Sequence, residues 1–127
     1  MRGGSVSESA AIQICLAEAA VEIDAAHLIM QHDAHEILDR ASRDEMFSVE
    51  ERIRYRRNQA YIATLCVRAV NRLFDASGGH ALFDSDPMQR FHRDTHAGSH
   101  QAVVSWHARS EQYGRVRLGL EPTDQRF

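Results

Sequence analysis

Glycine and proline are scarce: seven glycines and two prolines in 127 residues, with neither type between Val6 and Ser77. A stretch that long without a breaker argues against turn-punctuated structure and for long helices. Cysteine is nearly missing too. Cys15 and Cys66 both fall in apolar helical patterns, which excludes a disulfide framework and fits small buried hydrophobes of a cytoplasmic protein. There is no cationic excess: 15 basic against 18 acidic side chains leave a net charge of −3, and no basic cluster stands apart from acidic neighbours. Nucleic acid is therefore not expected as a partner. Long hydrophobic runs are also lacking. "MRGGSVSES" has no apolar core of a signal peptide, and no segment reaches membrane-spanning length, so no membrane association is expected.

What is present is enough for one folded domain. An apolar content of 43% sets the chain apart from disordered sequences. Residues 1–6 read as a disordered linker and 123–127 as a tail. A first helix is predicted from about Ser7 to Ser42. Its apolar face is Ile12, Cys15, Ala19, Ile23, Ala26, Met30, Ile37 and Leu38, and its opposite side carries Glu18, Glu22, Asp33, Glu36 and Arg40. Ser48 with Glu51 forms a capping box, with Phe47 placed as a hydrophobic staple. A second helix is predicted from Val49 to Ala76, with Ile53, Ala60, Ala63, Val67, Val70 and Phe74 as its stripe. The basic run "RIRYRRNQ" near its start follows Glu50 and Glu51 and reads as a solvated face. Gly78-Gly79 terminates that helix. Asp86-Pro87 starts a third, predicted to reach Tyr113 before Gly114, and the tail "LGLEPTDQRF" should be extended. The predicted fold is all-α, an up-and-down bundle of three long helices. Such a bundle wants a fourth helix, so the chain either borrows one by forming a homo-oligomer, a dimer or tetramer, or has lost one.

The stretch "RFHRDTHAGSHQAVVSWH" holds four of the eight histidines. On a continuous helix His92, His96, His100 and His107 would lie within roughly 80° of one another. A metal site is not expected: three imidazoles spread over about 12 Å of helix axis cannot converge on one ion without carboxylates from elsewhere. Histidines on a half-buried face often have no function, and that is the reading for His27, His32, His35, His92 and His107 taken singly. At His100 the small neighbours Ala97, Gly98, Ser99 and Ala102 would make room for a flat ligand, and a neutral imidazole there could accept a phenolic proton.

"NRLFDASGGHALFDSDPMQRFHRDTHAGSHQAVVSWHARSEQYGRVRLGLEP", together with "IQICLAEAAVEIDAAHLIM" upstream, resembles the C-terminal helical domain of acyl-CoA dehydrogenase-like flavin monooxygenases. These are the oxygenase components of two-component phenol hydroxylases, and the resemblance runs over residues 7–122. It implies that Ser77, Gly78 and Gly79 lie near the phosphate-bearing tail of a flavin, where the residues alone read as a plain helix cap. It also implies that His100 is the catalytic histidine beside flavin ring and substrate, with His96 a weaker cofactor-side candidate. Arg93-Asp94 should pack the third helix against its neighbours. The implied cofactor is FMN or FAD, reduced by a partner reductase. With O₂ it forms a C4a-hydroperoxide that hydroxylates an aromatic small molecule. Family members also carry an N-terminal helical domain and a β-domain, which this sequence does not contain, so the chain is expected to be inactive by itself. Two other readings stand beside this one. An acyl-CoA dehydrogenase-type oxidoreductase is disfavoured because "THAGSHQ" occupies the place of a Gly-Thr turn. A non-enzymatic helical oligomerisation module would self-associate without binding flavin.

Overall fold

The computed structural model describes residues 9–124 and 126; the linker expected at residues 1–6 and part of the expected tail lie outside them. Four helices follow one another: α1 (Ala10–Ser42), α2 (Val49–Ser77), α3 (Pro87–Ser99) and α4 (Trp106–Arg117). Short 3-10 turns at Gly78–Leu82 and Ala102–Val104 precede α3 and α4, and the described residues include no strand. α2 is the centre of the arrangement, with α1, α3 and α4 all packed against it. No helix among the described residues is long and apolar enough to cross a membrane.

The predicted punctuation holds at the two best-marked starts. Ser48 Oγ accepts from the Glu51 backbone N–H while Glu51 accepts from the Ser48 N–H, the reciprocal capping box. Asp86 Oδ1 accepts from the Met88 N–H at 2.8 Å, with Pro87 in the first turn. Phe47 packs edge-on against Tyr55, two turns into α2, with ring centroids 5.6 Å apart.

The expected third long helix is instead two helices, and His100 supplies the reason. In a continuing helix the His96 carbonyl would accept from the His100 backbone N–H. Here it accepts from Ser99 Oγ at 2.8 Å and from His100 Nδ1 at 2.7 Å. Side chains that compete for a backbone acceptor favour leaving the helix. Gly98 and Ser99 hold it weakly, and Gln101 turns extended at ψ 137°. At the other end α4 runs past Gly114 to Arg117, and the reversal falls at Gly119, whose φ of +76° only glycine adopts readily.

α1 and α2 meet along a seam that takes Cys15, Ala19 and Ala26 from the predicted apolar face and Glu22 and Asp33 from the polar one. Glu22 is buried against Arg68 and Arg72, Asp33 against Asn58, and Glu36 and Arg40 pair with Arg54 and Glu51. Much of "RIRYRRNQ" is thereby interface rather than solvated surface. Ala19, Ala26, Ala60 and Ala69 are fully buried and let the two backbones approach, and Ile53 is the largest side chain completely enclosed. On its other sides α1 exposes Ile14, Leu16, Val21, Ile23, Leu28, Met30 and Leu38. The chain is an open layer around α2 rather than a closed bundle.

Candidate functional site

His100 caps the C-terminus of α3. Its Nδ1 donates to the His96 carbonyl, since a carbonyl can only accept. That bond fixes the tautomer and leaves the basic lone pair on Nε2. The ring is exposed, and it sits at the rim of a cavity of about 430 Å³ lined by Ala63, Thr64, Val67, Val104, Ser105 and Trp106 among others. The room expected beside His100 therefore exists: Ser99 lines this cavity and Ala102 a second one at His100, and small residues of α2, Ala63 and Thr64, add to it. Ala97 and Gly98 face solvent instead. Trp106 gives this cavity a flat aromatic wall and leans on Tyr61, with ring centroids 4.9 Å apart. A planar, mostly apolar guest with one acidic proton matches that lining. Breaking the helix at residue 100 takes His107 off the stripe that a continuous helix would have made.

The other two histidines of the stripe are built into the α2–α3 contact. His92 packs on Phe74 at 4.3 Å between centroids and on His96 at 4.5 Å. His96 Nε2 donates to Asn71 Oδ1 at 2.7 Å, so its ring has a structural partner while its carbonyl anchors His100.

The glycine turn lies elsewhere. From Val67, beside His100, to Gly78 is eleven residues of α2, roughly 16 Å along the axis. The structure thus brings His96 and His100 together and leaves Ser77, Gly78 and Gly79 at the far end of α3. Gly78 has φ +61°, which favours glycine, and a Cβ built on Gly78 or Gly79 would meet nothing within 4 Å. The turn is sterically open to an anion such as a flavin phosphate, although the Gly78 N–H already donates to the Asp75 carbonyl. Ser77 fits less well, because its hydroxyl hydrogen already goes to the Leu73 carbonyl at 2.7 Å. Arg93 and Asp94 are exposed and pair with each other at 3.3 Å, so they do not pack α3 against its neighbours.

On α1, His32, Asp33 and Glu36 place three potential ligand atoms within 4.8 Å. Both Asp33 oxygens accept from Asn58 Nδ2, at 3.0 and 2.9 Å, and Glu36 accepts from Arg54 at 2.6 Å. The Arg54 guanidinium holds the Glu36 carboxyl below its usual range, chiefly through that hydrogen bond. A cation would have to displace a cation there. The residues that sequence reasoning missed at His100 are Ala63, Thr64, Val67 and Trp106. Their helical spacing was visible, but the bend that delivers Trp106 to α2 was not.

The family described as "Acyl-CoA dehydrogenase, C-terminal domain" matches residues 1–106. The FADH(2)-dependent resorcinol hydroxylase oxygenase component of Rhizobium sp. (strain MTP-10005) is 36% identical over 124 residues, which cover 94% of this chain and 30% of that protein. The oxygenase subunit HsaA of Mycobacterium tuberculosis (strain ATCC 25618 / H37Rv), a flavin-dependent monooxygenase, is 37% identical over 114 residues, 88% of this chain and 28% of that one. Among solved structures, 3-HSA hydroxylase from Rhodococcus sp. RHA1 superposes with a TM-score of 0.87 at 31% identity, covering 94% of this chain and 31% of that one. XiaF from Streptomyces sp., solved in complex with FADH2 and glycerol, gives a TM-score of 0.90 at 26% identity, over 98% and 31%. The chain spans about 30% of the length of these relatives. Similar to these oxygenase components and matched by the family over most of its length, this chain belongs to the acyl-CoA dehydrogenase C-terminal domain family.

Proposed function

We propose that this chain is the C-terminal helical portion of a flavin-dependent monooxygenase that hydroxylates a phenolic substrate, and that it turns over only together with the other domains of such an enzyme. The observation that carries the proposal is His100. Its Nδ1 is engaged by the His96 carbonyl, which leaves Nε2 as the base at the rim of the Trp106 cavity.

The roles of the chain's own residues follow from their placement. His100 Nε2 accepts the phenolic proton, and the oxyanion so formed raises electron density at the ring carbons ortho and para to it. Trp106, Val104 and Val67 offer apolar contact to the ring, while Ala63 and Thr64 leave space for it. His96 is a positioning residue, holding the imidazole through its backbone carbonyl. At the far end of α3 the open turn at Gly78 and Gly79 would hold a phosphate of FMN or FAD, of this subunit's site or a neighbour's, with the Gly78 N–H itself kept by the Asp75 carbonyl. When bound, the reduced flavin supplies oxygen activation and transfer of one oxygen atom to the aromatic ring. A reductase delivers it, in keeping with relatives that are oxygenase components. The aliphatic side chains exposed along α1 are what the rest of the enzyme, or further copies in a dimer or tetramer, would cover.

The test uses the longer protein that contains these residues, with reduced flavin and O₂. Replacing His100 by Asn is expected to lower hydroxylated product by about 10²–10⁴-fold while oxygen uptake continues, released as peroxide. Unchanged coupling of oxygen uptake to product in the H100N protein would refute the assignment.

A further inference from the structure

The last helix carries two side chains that should not be buried without a reason. Arg109 is 7% exposed and Gln112 6% exposed. An arginine or amide removed from water is costly unless its donors and acceptors are matched. Here the matches come from the C-terminal tail, which turns at Gly119 and runs back along α4. Gln112 Oε1 accepts from the backbone N–H groups of Thr123 and Asp124, at 2.8 and 3.2 Å, and its Nε2 donates to Thr123 Oγ1 at 2.9 Å. Arg115 Nε donates to the Glu121 carbonyl at 2.9 Å. Arg109 donates through one nitrogen to the Arg126 carbonyl at 3.1 Å and lies 3.7 Å from Asp124 Oδ2. Its Nε donates to the Val103 carbonyl at 3.3 Å.

That last bond gives the tail a route to His100. Val103 belongs to the 3-10 turn that leaves His100, so one buried guanidinium holds both the tail and that turn. A second cavity, about 620 Å³, opens between them: its lining includes His100, Ala102 and Val103 on one side and Asp124 and Arg126 on the other, with Arg109 at the base. His100 thus stands between two cavities, one walled by α2 and Trp106, the other by the tail.

We propose that the tail, through Asp124 and Arg126, is a wall of the second cavity at His100, and that Arg109 is a positioning residue which ties this wall to the turn bearing the histidine. This deepens the function proposed above and rests on it for its catalytic meaning; the physical coupling of tail to imidazole stands independently. Because Arg109 and Gln112 would become solvated on removal of the tail, a shortened chain keeps its helices and remains testable.

The experiment compares three forms of the full chain labelled at histidine: unaltered, ending at Gly119, and Thr123→Pro, which removes one N–H and one hydroxyl from the Gln112 clamp. Imidazole ¹³C and ¹⁵N resonances report the tautomer and surroundings of each histidine without flavin or substrate. In both altered forms the His100 signals are expected to shift and to lose their single Nδ1–H tautomer, while His27, His32 and His35 on α1 stay in place. His100 signals unmoved in the folded chain ending at Gly119 would overturn the proposal. If that form unfolds by circular dichroism, the Thr123→Pro chain decides by the same readout. In the longer enzyme, Arg109→Lys should raise peroxide release relative to product. Should His100→Asn leave product formation intact while the tail still moves the His100 resonances, the functional reading fails and the coupling survives.

Discussion

At the level of single residues, position matters more than type. His92, His96 and His100 share one helix face, yet the first packs on Phe74, the second donates to Asn71, and the third stands at the rim of an open cavity. Ile53 is enclosed completely, so truncating it leaves a void that the packed helices cannot readily fill. Ile53→Ala is expected to destabilise the folded chain by about 2–4 kcal/mol, read from the shift of a urea unfolding midpoint. Leu38, 67% exposed on α1, should cost little when changed to Ala. Gly78 is held at φ +61°. With ψ at −155° this is backbone that glycine alone adopts readily, so alanine there should cost about 1–3 kcal/mol through backbone strain alone, because a Cβ at this position stands in open space and disturbs no neighbouring atom.

Between elements, the α1–α2 pairing rests on a ladder of opposite charges over an alanine seam. Glu36 is held below the usual carboxylate range by the hydrogen bond from Arg54. Glu51 is held low first by the Ser48 backbone N–H and then by Arg40. A carboxyl whose folded pKa is depressed adds stability that is complete above its unfolded value, about 4, and is lost as pH falls through the folded value. The helical signal and melting temperature are therefore expected to hold from neutral pH down to about 4 and to decline below it. Glu36→Gln should lower stability at neutral pH and flatten that decline, which thermal melts across an acid-to-neutral pH series would show. An unchanged acid profile in the variant would mean that Glu36 does not contribute. At the start of α2, Ser48→Ala should remove about 1 kcal/mol through loss of the capping box.

For the molecule as a whole, the open layer has consequences for what the chain can do by itself. The imidazole and the glycine turn stand roughly 16 Å apart along α2, and each faces outward from the described residues. A fluorescence titration of the isolated chain with FMN is expected to show weak binding or none. Stoichiometric tight binding would mean that the site is more complete than this surface implies. The aliphatic residues exposed on α1 should drive association. Sedimentation is expected to give a mass above 14.4 kDa, and Val21→Glu with Leu38→Glu should shift it downward without lowering the melting temperature.

Sequence alone determined the all-α class, the Ser48 and Asp86 helix starts, the glycine turn and the family resemblance. Each of these depends on neighbours within a few positions, or on a motif carried intact. Only the tertiary structure decided that the interior of α1 runs along the border of its two predicted faces, Ala19 and Ala26 beside Glu22 and Asp33. Its aliphatic stripe and its carboxylate stripe have similar helical periodicity, and the partners of Glu22, Asp33 and Glu36 lie on α2, tens of residues away. The break at His100 was hidden for a related reason: Gly98-Ser99 is tolerable in a helix until two side chains take the His96 carbonyl. Tertiary packing also turned a tail expected to be merely extended into a wall beside that histidine, because the donors and acceptors that hold it are buried on α4.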